Sequence, residues 1–365
     1  MQTNQSKIEQ LLQQYCPDGV KFKELGDVCK IETGKLNANA SVIDGEYLFF
    51  TTAKEISRID KYRWDTEALL IAGNANVWDV KHYTGKFEAY QRTYVLTDFS
   101  ETIDVRFLYF SLKNNLQEFL KSNSNSAAMT YIVLWTLQTF QIPIPPLPVQ
   151  EEIVKILDKF TELEAELEAE LEARKSQYTY YRDEMLSFGD DVELKPLGEI
   201  YKFQYGMGNT IPTIGGEYPV YGSNGIVGTH NEYNSENSPV IGHIWAYAGI
   251  VNWWEWKHFV TYNGVICKLI VEDVIPKYAY YQLLKQDFNS MAKNESQPFV
   301  SYAALNSVLI PIPTKEKQQE IVAILDKFDA LINDISIGLP AELQARRQQY
   351  EHYREKLLTF KPLEK

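Results

Sequence analysis

Between residues 149 and 188 the apolar side chains Ile153, Ile156, Leu157, Phe160, Leu163, Leu167, Leu171, Tyr178, Tyr181 and Met185 recur at helical spacings, with no Gly or Pro inside. That periodicity predicts one long amphipathic helix, a rod of ~60 Å at 1.5 Å per residue. The Leu-Glu-Ala-Glu tetrads at 163–170 give it an acidic solvent face. A single apolar stripe needs a partner, and the candidate is a second such stretch, residues 315–360. Gly338-Leu339-Pro340 interrupts that stretch, so a kink or restart is expected where proline removes a backbone donor. An intramolecular, antiparallel, coiled-coil-like pair follows.

The remaining stretches, 1–148 and 191–313, mix signals. Ala68–Ala72, Arg92–Leu96 and Val265–Ile270 read as strands, and 106–120 and 277–291 as short helices. Tyr218 to Gly228, with Asn224-Gly225 inside, reads as a hairpin closed by a tight type I′ turn. The expected class is α+β: two globular α/β domains separated by two long helices. The expected division is domain 1 at 1–148, helical spacer 1 at 149–190, domain 2 at 191–313 and helical spacer 2 at 314–365.

The chain repeats itself. Ile142-Pro-Ile-Pro followed by Gln150-Glu-Glu-Ile-Val-Lys-Ile-Leu-Asp-Lys-Phe160 returns 168 residues later as Ile310-Pro-Ile-Pro and Gln318-Gln-Glu-Ile-Val-Ala-Ile-Leu-Asp-Lys-Phe328. Arg174 to Arg182 returns 172 residues later as Arg346 to Arg354, and Val20, Lys23, Leu25, Gly26 and Lys30 return as Val192, Lys195, Leu197, Gly198 and Lys202. Such a period is too long for a solenoid and indicates a duplicated module. The connecting stretches, Thr161–Ala173 and Asp329–Ala345, differ by four residues. Four residues are about one helical turn, so the longer copy is expected to keep its apolar face.

Charge narrows the chemistry. The net charge is −13, distributed as −2 over 1–148, −7 over 149–190, −4 over 191–313 and zero over 314–365. Neither globular stretch is basic, and 191–313 contains no arginine, so neutralisation of phosphates by this chain alone is weak. Cys16, Cys29 and Cys267 are odd in number and far apart, which argues against a disulfide framework or Cys-rich zinc site. His82, His230, His243, His258 and His352 lack paired ligand spacing. Gly206-Met-Gly208 lacks the third glycine of a dinucleotide loop, and no phosphate-binding Gly-x4-Gly-Lys-Ser/Thr is present. Glutamates 162–172 read as a solvated face. No catalytic or metal-binding residue is assigned. The N-terminal residues lack an export signal, and Pro239–Trp254 is too short to span a bilayer; a cytoplasmic, non-membrane protein is expected.

Two variable domains alternate with two similar helical segments, each introduced by Ile-Pro-Ile-Pro and closing on Tyr-x-x-Tyr-Arg. In this the chain resembles the specificity subunit of type I restriction-modification systems over essentially its whole length. The resemblance implies a non-catalytic subunit in which each domain is a target-recognition domain reading one half of a split double-stranded DNA sequence. The helices would act as a ruler and as docking sites for two methylation subunits, with restriction and translocation subunits joining outside. S-adenosylmethionine, ATP and Mg would belong to those partners, and this chain would hold no cofactor. No Asp/Asn-Pro-Pro-Tyr/Phe methylation motif is present; Pro143-Ile-Pro-Pro146 lacks its polar and aromatic ends. A self-contained nuclease or methyltransferase is therefore disfavoured.

Asn can pair with adenine, and Lys or Arg with guanine or phosphate. On that basis the DNA-contact candidates in domain 1 are Lys54, Asn74, Asn76, Lys81, His82, Tyr83 and Arg92, with the polar loop Ser122–Thr130 beside them. In domain 2 they are Asn209, Ser223, Asn224, His243, Tyr247, Lys257, Asn263, Ser296 and Gln297. Each taken singly could instead be a solvated or turn-forming residue. After Val240-Ile241-Gly242 the family commonly has Arg-x-Gly; here stand His243-Ile244-Trp245, and Trp253, Trp254 and Trp256 follow. This departure supports an alternative, a protein-binding scaffold whose second reader no longer binds DNA. The repeated sets Tyr178, Tyr181, Arg182 and Tyr350, Tyr353, Arg354 are either helix packing or partner-docking anchors; the expectation is a mixture, tyrosines inward and arginines outward.

Overall fold

The structure, a computed structural model, describes residues 7–75, 79–122, 131–209, 211–291, 298–334 and 336–363. It divides into two compact units, Met1–Glu166 with Leu343–Lys365, and Leu167–Glu342.

Unit 1 runs α1 (Lys7–Tyr15), β1 (Lys21–Glu24), α2 (Leu25–Val28), β2 (Lys30–Thr33), β3 (Tyr47–Phe50), β4 (Ser57–Ile59), β5 (Trp64–Ala72), β6 (Val80–Ala89), β7 (Thr93–Thr97), α3 (Val105–Ser122), α4 (Leu134–Gln138), β8 (Gln141–Ile144) and the start of α5 (Leu147–Met185). Unit 2 takes the rest of α5, then β9 (Leu194–Pro196), α6 (Leu197–Ile200), β10 (Tyr201–Tyr205), β11 (Tyr218–Gly222), β12 (Gly225–His230), β13 (Ser235–Gly242), β14 (Val251–Val260), β15 (Gly264–Leu269), α7 (Pro276–Lys285), α8 (Tyr302–Ser307), β16 (Leu309–Pro311) and α9 (Lys315–Asn333). The last helix, α10 (Leu339–Leu358), falls mostly in unit 1.

The two units repeat one topology. Unit 1 has a six-stranded sheet ordered β2-β7-β5-β6-β3-β4 and a ribbon β1-β8; unit 2 has β10-β15-β13-β14-β11-β12 and β9-β16. In each sheet one internal pair is parallel, β3 with β6 and β11 with β14, and the remaining pairs are antiparallel. Alternation along the strands builds two cores per unit. Leu69 and Ile71 of β5 join Phe107, Leu108 and Phe110 of α3 in the larger core, while Ala68 and Leu70 turn to a smaller one with Phe50 and Phe87. In β13 and β15, Ile241, Val265 and Cys267 enter the larger core of unit 2, and Val240 and Ile266 the smaller. The class is α+β.

The helical repeats exchange halves. Val149, Ile153 and Leu157 of α5 are buried in the core of unit 1, whereas Tyr178 of α5 and Leu186 just beyond it are buried in that of unit 2. In unit 1 the ring of Phe160 stacks on Tyr353 at 5.5 Å and meets Tyr350 at 6.1 Å, and Arg347 Nε lies 2.6 Å from Glu164 Oε1. Rising numbers on α5 meet falling numbers on α10, so the pair is antiparallel. In unit 2 the duplicate of Phe160, Phe328 on α9, stacks on Tyr181, the duplicate of Tyr353. Each unit is thus completed by the opening of one helical repeat and the close of the other.

Two buried glutamines repeat this design. Gln150 Nε2 donates to the carbonyls of Thr102 (2.9 Å) and Pro145 (2.6 Å), and its Oε1 accepts from Asp104 N at 2.8 Å. Gln318 Nε2 donates to Asp273 O and Pro313 O, and its Oε1 accepts from Ile275 N. Both are fully buried. They knot the proline-rich connector to the loop that launches α3 or α7.

One local expectation holds and two change. The restart expected at Gly338-Leu339-Pro340 is present: α9 stops at Asn333 and α10 begins at Leu339, so the second repeat is two helices. A side chain at Gly338 would sit 2.5 Å from Ala330 O, so the backbone doubles back where only glycine fits, and Pro340 occupies the tolerant first turn of α10. The β11–β12 hairpin forms, but Gly222 pairs with Gly225 and positive φ falls only on Gly225 (+85°), leaving Ser223-Asn224 at the bend instead of a type I′ Asn-Gly. Arg182 is not outward: its side chain is only 14% exposed, held by Asp183 at 2.7 Å.

Candidate nucleic-acid interface

At one end of each sheet the strand-connecting loops converge. In unit 1 Gly73 N donates to Arg92 O at 2.8 Å and Ile132 N donates to Gly73 O at 2.8 Å, drawing together the loop after β5, the β6–β7 turn and the segment before α4. In unit 2 His243 N donates to Asn263 O at 2.8 Å and Val300 N to His243 O at 3.0 Å. The same backbone latch therefore recurs, with Arg92 matched by Asn263 and Gly73 by His243.

This latch gathers several of the candidates. Asn74 and Arg92 both stand at this end of the first sheet; Asn74 Oδ1 is buried without a hydrogen-bond partner, and Arg92 is exposed. At the end of the second, Ser223 Oγ donates to Asn263 O at 2.8 Å. Gly242 leaves no room for a side chain between Ser223 O and Tyr247 O, and Tyr262 N bonds Gly208 O, beside exposed Asn209. Ser223, Asn224, His243, Tyr247, Asn263 and Asn209 thus share one end. Asn76, Ser296 and Gln297, with Trp78 and residues 123–130 of the polar loop, lie outside the described residues.

Other candidates are drawn elsewhere. Lys81, His82 and Tyr83 are consecutive on β6, so alternation separates them. His82 faces the helices, its Nε2 2.8 Å from Glu67 Oε1 and its ring 6.1 Å from Tyr109 on α3. Tyr83 packs on Phe50 and Phe87 on the opposite side. Lys81 pairs with Asp79 and donates to Ala53 O at 3.2 Å, next to exposed Lys54. Lys257 lies 4.5 Å over the Tyr233 ring. Of the tryptophans, Trp253 packs against Tyr280 at 5.3 Å, whereas Trp245 and Trp256 are 54% and 71% exposed.

The repeated docking sets are mostly engaged within their own units. Tyr178 is buried and Arg182 lies 5.9 Å over its ring; Arg354 donates to Asn114 Oδ1 at 3.0 Å and covers Tyr350 at 5.5 Å. Tyr181 and Tyr353, expected inward, are 40% and 38% exposed.

One duplicated group escaped sequence reasoning. Arg106 covers Tyr109 and Phe110 and is held by Asp158 at 2.7 Å; Lys277 covers Tyr280 and Tyr281 and sits 3.7 Å from Asp326. Burial, with the Asp326 carboxylate beside it, pushes the Tyr281 hydroxyl far above its ordinary range. A basic residue followed three positions later by tyrosine, repeated at an offset of 171, was the available signal.

Electrostatics distinguish the second sheet. His243 Nδ1–H donates to Val300 O at 3.0 Å, and burial lowers the pKa of His243 and of His258. As pH falls below the unfolded histidine value of ~6.5, the unfolded chain takes up protons first. The stabilising contribution of neutral histidine is therefore complete above that pH and lost as pH falls through the lower folded values. Urea midpoints followed by hydrogen exchange in unit 2 should drop from pH 7 to pH 5, and His243→Gln should flatten that drop. An unchanged slope in the variant would assign the pH dependence elsewhere.

Among the described residues no cluster of His, Cys, Asp or Glu could hold a metal, and no helix is long and apolar enough to cross a membrane. The type I restriction modification DNA specificity domain matches residues 17–173 and again 189–345. The chain is 31% identical over 331 residues to the type I restriction enzyme EcoR124I/EcoR124II specificity subunit of Escherichia coli, covering 78% of each chain. It is 31% identical to the EcoprrI specificity subunit of the same species, over 74% of this chain and 73% of that one. The fold matches the crystal structure of the type I restriction-modification S subunit from M. genitalium with a TM-score of 0.61 at 18% identity, covering 93% of this chain and 96% of that one. Two matched domains, two units of one topology and relatives spanning most of the chain agree: the protein belongs to the type I restriction-modification DNA specificity family.

Proposed function

We propose that the chain is the non-catalytic reader of a type I complex, recognising a bipartite double-stranded DNA target, one half with each unit. The observation that carries this is the duplication itself: one sheet topology and one loop-end latch occur twice, joined through helical repeats that each contribute to both units. Two linked readers gain affinity only where the spacing between half-sites suits the linkage. Exposed Tyr181 and Tyr353, equivalent by repeat, are the proposed anchors for two copies of a methylation subunit; restriction and translocation subunits add to that core. Adenine methylation with S-adenosylmethionine, and ATP- and Mg-dependent cleavage, fall to those partners, and the proposed location is the cytoplasm.

Net negative charge on both readers sets the expected behaviour. The isolated chain should give no footprint at ~0.15 M salt, because few phosphates are neutralised. The reconstituted methylation complex should protect two patches, with a salt slope steeper than this chain's own lysines and arginines supply. Strong protection by the chain alone, or a single protected patch, would refute this reading; the single patch is what a non-reading second unit produces.

A further inference from the structure

A cavity of about 300 Å³ opens at the loop end of unit 1, bordered by Thr33, Gly73, Gln91, Arg92, Tyr94 and Tyr131. The repeat shows what such a place holds when it is filled. Thr33 stands opposite Tyr94 in the first sheet as Tyr205 stands opposite Val265 in the second. The backbone latch equates Gly73 with His243 and, one residue before Arg92 and Asn263, Gln91 with Tyr262. In unit 2 these rings pack together: Tyr205 lies 4.4 Å from His243, 5.5 Å from Tyr262 and stacked at 4.3 Å on Tyr302. Unit 2 thus supplies planar rings where unit 1 has threonine, glycine and glutamine.

The walls of the vacant counterpart suit a flat, polar-edged guest. Tyr131 is 64% exposed at its rim and Tyr94 is fixed by donating its hydroxyl to Ile132 O at 2.9 Å. No described residue hydrogen-bonds or ion-pairs with the Arg92 guanidinium, and on Asn74, bridged to Tyr131, the buried Oδ1 has no donor. The volume lies at the lower end of ligand pockets, ~300–1,000 Å³. Aromatic walls that stack on a base face, with polar groups for its edge, are how proteins hold a base outside a duplex.

We propose that this cavity receives one nucleobase drawn out of the duplex within the half-site read by unit 1, and that unit 2, its equivalent space filled by Tyr205 and His243, reads without extrusion. The proposal rests on the DNA-reading function above. The test uses the reconstituted methylation complex and its target, found by methylome sequencing, with 2-aminopurine or pyrrolocytosine placed in turn at each position of both half-sites. One position in the first half, distinct from the methylated base, should change fluorescence several-fold on binding. Thr33→Tyr, which installs the ring of unit 2, should abolish that change and weaken binding about tenfold, while the signal at the methylated bases and protection of the second half persist. Arg92→Met should diminish the same signal without filling the space. Protection of both halves with no such position, or a signal untouched by either variant, overturns the cavity proposal and leaves DNA reading intact. Loss of protection over both halves in the unaltered complex would remove the underlying reading instead.

Discussion

Deleting Leu167–Glu170 from α5 shortens the gap between the two methylated half-sequences by one to two base pairs and leaves both half-sequences unchanged. Four residues remove ~6 Å of rise and, at ~100° per residue, turn the remainder by only about 40°. A base pair rises ~3.4 Å, which sets the size of the change. The place of the cut matters as much as its length. Unit 1 holds α5 through Val149, Ile153 and Leu157, and unit 2 through Tyr178 and Met185; Glu168, Ala169 and Glu170 between them are exposed. Both anchorages survive, so each reading surface keeps its shape. Methylome sequencing of cells carrying the variant is the measurement. New half-sequences at the old spacing would mean that the helix does not set the gap.

Replacing Gln150 by leucine should destabilise unit 1 by about 2 kcal/mol, since one buried and two part-buried backbone groups lose their partner and a buried orphan costs ~1–3 kcal/mol while water can reach the part-buried ones. Asp104 N, Thr102 O and Pro145 O are those groups. The similar volume of leucine keeps packing loss small, so the effect isolates the hydrogen bonds. Hydrogen exchange should show the first turns of α3 and α5 losing protection while unit 2 keeps its own. Gln318→Leu should mirror this at α7 and α9. Equal loss of protection in both units from either change would show that the two do not respond separately.

That pair of glutamines illustrates how far sequence reading extends. Both were visible as the first residue of a repeated string, but a polar residue at a helix start reads as solvated, and burial is decided by segments far away in the chain. The same holds at the loop end: Asn74 and Arg92 could be nominated by type, yet Tyr131 and Gln91 became relevant only when the latch at Gly73 closed a cavity around them. Conversely, Tyr83 follows His82 in sequence but packs on Phe50 and Phe87, because neighbours on a strand point to opposite faces.

Helical period, strand-like runs, the duplication and the absence of catalytic motifs are local or self-comparative properties, so the amino-acid sequence alone determined the α+β class, the two readers and the family resemblance. Which half of each helical repeat serves which reader, the six-strand order that pairs Lys30 with Thr97, and the contrast between an open cavity and a ring-filled one were decided by tertiary structure. They arise from contacts between residues distant in sequence, whose free energy depends on mutual burial and on the satisfaction of backbone groups, and no periodicity within a single segment encodes that.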